Sequence, residues 1–118
     1  MAFKKIGADD LADDLSVTFQ PPRDGRAHRL RLSASTFRSI GTPAAIHFEW
    51  DGEGSLLRIV ASSPDDPAAF RLGAQRRAVI PRLLGHLGVS IEQTTTLPIT
   101  SDGPLSVIAD LSEYRSRP

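Results

Sequence analysis

The chain of 118 residues has no cysteine, so it can hold neither a disulfide framework nor a thiolate metal site, and its redox compartment is left open. No apolar run approaches the roughly 20 residues of a membrane span. Met1 to Ile6 is not followed by the apolar stretch of a signal peptide, so a soluble, cytoplasmic protein with no membrane partner is expected. Also missing are a phosphate-cradling glycine loop, a nucleophile elbow and a dinucleotide fingerprint. Lysine is scarce, 2 against 12 arginines, and net charge is zero. Size and a hydrophobic content of 40% support one domain with a modest core, too small for a long cleft between two lobes.

What the chain does have is a weak internal echo. Leu30–Gly41 and Arg77–Gly88 align without a gap, pairing Leu32 with Val79, Phe37 with Leu84, Ile40 with Leu87 and Gly41 with Gly88. Each stretch then runs through an alternating segment to an Asp-Gly turn, at Asp51-Gly52 and Asp102-Gly103, and into a second alternating segment. This reads as a strand, short helix and hairpin occurring twice. Neither copy can bury its own apolar face, so the expected fold is mainly β with short helices, an α+β chain in which two tandem repeats close one small barrel. The implied organisation is an acidic arm over residues 1–22 and a barrel over 23–111, with repeats at 26–61 and 70–111 and a linker at 62–67, followed by a mobile tail over 112–118.

Local signals fill in the elements. Ile6 to Leu15 can form a helix with its aspartates on one side, and Ser16 to Phe19 reads as a strand before a Pro-Pro turn. Leu30 and Leu32 point one way from a strand whose arginines point the other. Ser33 or Ser35 can cap a short helix carrying Phe37 and Ile40, with Gly41 ending it. Ile46, Phe48 and Trp50 face Leu57, Ile59 and Ala61 in the clearest hairpin. In the second half Arg76–Ile80 reads as a strand, Pro81 fits the first position of a helix closed by Gly88, and Leu105, Val107, Ala109 and Leu111 share a face of the last hairpin. Phe37, Ile40, Phe48, Leu84 and Leu87 are expected to be buried together.

Charge is unevenly spread along the chain. Gly25 to Phe48 holds four arginines and no carboxylate, and Pro67 to Ile91 again holds four arginines and no carboxylate. Carboxylates gather in the arm, the linker and the hairpin tips. Two acid-free tracts at the starts of two repeats can share one basic surface, the electrostatic footprint of a phosphate binder. Arg29, Arg31 and Arg38 in the first tract and Arg76, Arg77 and Arg82 in the second are the candidate DNA-binding residues. Only Phe37 and Phe70 are interleaved with them, which argues against base stacking and for backbone contact with double-stranded DNA.

Val79-Ile80-Pro81, five intervening residues, then Leu87-Gly88-Val89 resembles the core of the AbrB-type swapped-hairpin transcription regulators, and the tandem arrangement is similar to MraZ-type regulators. The resemblance implies two interlocked strand, helix and hairpin units, DNA contact by arginines near the first strand and helix, and a role in transcription regulation; separately, exposed Leu56 and Val60 can form the seam of a homodimer or other homo-oligomer. It departs in the first repeat, which has Ser33-Ala34 where Ile-Pro would stand.

Enzymatic constellations are thin. His28, His47 and His86 stand alone in sequence, so neither metal binding nor catalysis is expected, and no cofactor. The competing class is a protein-interaction or assembly module without nucleic-acid binding, docking through the acidic arm or through Leu56 and Val60 on the outer face of the first hairpin.

Overall fold

The computed structural model describes residues 2–3, 15–23 and 27–115. The chain is mainly β, with eight antiparallel strands in one sheet that nearly closes into a barrel, and two short helices. In chain order these are β1 (Ser16–Gln20), β2 (Arg29–Leu32), α1 (Ala34–Ser39), β3 (Ala45–Asp51), β4 (Leu56–Ser62), β5 (Phe70–Arg71), β6 (Arg77–Val79), α2 (Leu83–Leu87), β7 (Thr95–Ser101) and β8 (Ser106–Asp110). The strand order is β5-β3-β4-β8-β7-β1-β2-β6. Its two ends meet where the Gly73 N–H donates to the Arg77 carbonyl at 2.8 Å.

Alternation dictates which face each strand buries. Val17, Phe19, Leu30, Leu32, Leu57, Ile59, Val107 and Ala109 point inward and are fully buried, while Thr18, Arg29, Arg31, Arg58 and Ile108 point outward. The β3–β4 hairpin has the expected register, with Ile46 opposite Ala61, Phe48 opposite Ile59 and Trp50 opposite Leu57. Ile40, Leu84 and Leu87 join the core; Phe37 and Phe48 lie half-buried against it, Phe48 meeting the Phe70 ring edge-on at 5.2 Å.

Both helices end in the same way. Thr42 N–H reaches the Phe37 carbonyl at 2.9 Å and Gly41 has φ +88°; Val89 N–H reaches the Leu84 carbonyl at 2.8 Å and Gly88 has φ +70°. Glycine meets this left-handed requirement at least cost. At the start of α1, Ser33 caps the Thr36 N–H at 3.1 Å. Thr36, fully buried, donates through its hydroxyl to the Ser16 carbonyl at 2.9 Å and accepts from the Ser16 N–H at 3.0 Å, tying α1 to the head of β1.

Several expectations need correction. The gap-free alignment slips by one residue at the strand: Val79 is 55% exposed, and Ala78 and Ile80 take the buried places, matching Leu30 and Leu32. Pro81 does not begin α2, because Arg82 adopts a left-handed conformation at φ +63° and the helix starts at Leu83. Leu105 precedes β8 and is 56% exposed. The strand expected at Ser16–Phe19 is present as β1, and its pairing on both sides with β2 and β7 puts it in the sheet rather than in the arm that composition set at residues 1–22. The head of the tail is docked: Ser90 N–H donates to the Tyr114 carbonyl at 2.8 Å, and the Arg115 guanidinium donates to the Gly52 carbonyl at 2.7 Å and lies over the Trp50 ring. The arm helix expected over Ile6–Leu15 falls almost wholly outside the described residues.

Candidate phosphate-binding face

The β2–β6 pair carries the densest basic surface that the strand register creates. Arg31 stands directly opposite Arg77, and Arg29 opposite Val79, on the face away from Leu30 and Ala78. Side chains facing each other across an antiparallel pair have Cβ atoms about 4.5 to 5.5 Å apart, and like charges there repel. Among the described residues no carboxylate lies within 4.0 Å of the Arg29, Arg31 or Arg77 guanidinium. On β1 the neighbours are neutral: Thr18 opposite Arg31 and Gln20 opposite Arg29. Arg77 donates through Nη2 to the Gln75 side-chain oxygen at 3.2 Å, while its Nε is buried with no hydrogen-bond partner.

Arg58, by contrast, is neutralised. Arg58 on β4 donates to Glu49 at 2.7 Å and to Asp102 at 2.8 Å. The Arg58 hydrogen bond holds the Glu49 carboxyl below its ordinary pKa, with His47 adding to the effect, and Glu49 in turn raises Arg58. Glu49 and Asp102 thus share a cation in Arg58, whereas Arg29, Arg31 and Arg77 on the β2–β6 face meet no carboxylate among the described residues.

The remaining candidates separate. Arg76 donates from Nε to the Leu32 carbonyl at 3.0 Å and so braces the end of β2. Arg38 is exposed in the last turn of α1, and Arg82 is exposed just ahead of α2; no contact draws either to the β2–β6 face. Sequence reading overlooked Arg23, which joins Gln20, Pro21, Arg29, Arg77 and Thr94 around a cleft of about 330 Å³. The signal was the hairpin itself, since pairing Gln20 with Arg29 carries the following turn residues to the edge of the arginine cluster.

The histidines are not all isolated in space. His47 lies 3.4 Å from both Glu49 and Asp66, and Asp66 is held below its ordinary pKa chiefly by the Ser62 hydroxyl, with the Ala68 N–H and His47 assisting. His28 meets the Ile91 carbonyl at 3.1 Å. No group of three metal-ligating side chains occurs among the described residues. Leu56 and Val60 are only half-buried, and Leu56 lines a groove of about 150 Å³ with Trp50, Arg58 and Ile108. No helix among the described residues is long and apolar enough to cross a membrane. No family model, curated protein or solved structure matches the chain.

Proposed function

We propose that the protein is a small double-stranded-DNA-binding factor that grips phosphates with the outward face of β2 and β6, in the manner of the swapped-hairpin regulators its Ile-Pro and Leu-Gly segments resemble. The observation that carries this reading is Arg31 opposite Arg77, with Arg29 on the same face and no carboxylate in ion-pair reach among the described residues. A fold gains nothing from setting two guanidiniums against each other across a ladder. A polyanion repays the arrangement by accepting their forked donors and releasing its counterions.

The tandem-repeat reading supports the same surface. Exchanging β1 with β5, β2 with β6, β3 with β7 and β4 with β8 returns the same strand order once the sheet is taken as closed. The pairing of Gln20 with Arg29 has its counterpart in the Gly73-to-Arg77 hydrogen bond, so Arg29 and Arg77 occupy equivalent places. On that reading the two units bring their arginines together about the Leu30–Ala78 pair.

The test is a fluorescence anisotropy titration of a random duplex with Arg31→Ala/Arg77→Ala. Affinity should fall by about 1 to 3 kcal/mol, and the slope of log affinity on log salt should flatten by about one to two units, one per lost phosphate contact. Arg115→Ala, against the β3–β4 turn, should leave binding nearly unchanged. Equal effects of the two changes would defeat the assignment and favour the protein-interaction reading, with docking at the Leu56–Ile108 groove.

A further inference from the structure

We infer that the cleft between Gln20–Arg23 and β6, at the edge of the face that would hold a duplex, is a site for a compact diphosphate, either inorganic pyrophosphate or the diphosphate of a nucleotide. Its walls bear three guanidiniums, Arg23, Arg29 and Arg77, together with Gln20, Pro21 and Thr94, and no carboxylate among the described residues. The Gln20 amide and the Thr94 hydroxyl form no side-chain hydrogen bond within the described structure, so both are free to meet a ligand oxygen. Arg77 keeps a buried Nε without a protein acceptor, a cost that an anion held by this guanidinium would offset.

Size and charge select the ligand class. A volume of about 330 Å³ falls at the small end of the roughly 300 to 1,000 Å³ spanned by small-molecule sites. One phosphate monoester, at about −1.5 to −2 charge, leaves the three arginines undercompensated, whereas a second phosphate brings the sum close to balance. Position separates the cleft from the repeated architecture. On the tandem-repeat reading the corresponding connection, from Gly73 to Arg77, has only three intervening residues, against the eight between Gln20 and Arg29. The barrel therefore does not require the cleft; the cleft shares Arg29 and Arg77 with the duplex face, while Arg23 belongs to the cleft and Arg31 lies outside it.

The two sites share Arg29 and Arg77, and variants at the unshared residues keep the two readings apart. Thermal shift and isothermal titration of the full chain would use pyrophosphate, ADP, AMP and sulfate at matched ionic strength. Pyrophosphate and ADP should raise Tm and bind, with ADP tighter than AMP by roughly tenfold, the worth of one further charge-assisted contact set. Arg23→Gln should weaken pyrophosphate by roughly tenfold and Thr94→Val by a smaller factor, with duplex affinity within about twofold of wild type. Arg31→Ala should do the reverse, lowering duplex affinity and sparing pyrophosphate. Stabilisation by pyrophosphate no greater than by sulfate, AMP as tight as ADP, or equal losses from Arg23→Gln and Arg31→Ala would each overturn the inference.

Discussion

Replacing Arg31 by threonine should stabilise the protein at low ionic strength. Arg31 and Arg77 face each other across β2–β6, each half-buried and with no carboxylate within 4.0 Å among the described residues. At a separation of roughly 7 Å, two guanidiniums would repel by about 0.6 kcal/mol in a water-like dielectric and about twice that at half that dielectric. Solvent exposure holds the estimate to the lower part of that range. Threonine suits a strand and would face Thr18 on β1. The expected gain is therefore about 0.5 to 1 kcal/mol near 20 mM salt, where the screening length is roughly 20 Å, shrinking toward zero by about 0.5 M. Urea unfolding at both salts, followed by fluorescence of the single tryptophan, Trp50, measures the difference. A loss of about 0.5 kcal/mol or more that is insensitive to salt would refute the reasoning. It would mean that the aliphatic stem of Arg31 holds the sheet together and that the basic face is part of the scaffold.

Thr36→Val keeps the volume of a fully buried side chain but strips the Ser16 N–H and carbonyl of their hydroxyl partner. Because Ser33 still bonds both Ser16 groups, calorimetry should show a loss of about 1 to 2 kcal/mol rather than the full cost of two orphaned groups. Gly85→Ala and Gly88→Ala should act in opposite directions despite the open space at both positions. Alanine inside α2 should stabilise by about 0.5 to 1 kcal/mol, and at the φ +70° position it should destabilise by about 1 kcal/mol, read from denaturation midpoints. Glu49 and Asp66 are both held below their ordinary pKa values, so their stabilising contribution is complete above about pH 4.5 and fades as pH falls through the lowered folded-state values. The melting temperature should fall with acidification below that point, less steeply in Asp66→Asn; a rise on acidification would contradict the ion-pair account.

Period-two alternation made the β3–β4 hairpin legible, because Ile46, Phe48 and Trp50 can share the inward face with Leu57 and Ile59 only in one register. The helix ends were legible through Gly41 and Gly88. The same alternation misled at β6. A gap-free alignment anchored on those glycines carries Val79 inward, but the chain spends one residue differently between strand and helix, where Arg82 turns through the left-handed region, and a one-residue slip reverses the faces. The two-residue strand β5 gives no periodic signal, and its pairing with β3 rests on contacts distant in sequence. At the candidate site, the acid-free tracts contain Arg29, Arg31 and Arg77, which the β2–β6 pairing brings together, but composition cannot tell an outward strand arginine from Arg76, which reaches back to brace the Leu32 carbonyl. Arg23 was hidden because its place depends on the hairpin that precedes β2 rather than on its own tract.

The central claim is that the β2–β6 arginines bind nucleic-acid phosphate, and the salt dependence of wild-type binding to a random duplex tests it most directly. With Arg29, Arg31 and Arg77 each neutralising one phosphate, log affinity should fall against log salt with a slope of about −2.5 to −3, and binding should be measurable at about 50 mM salt. No duplex binding at that salt, or an affinity that stays constant as salt rises, would contradict the account.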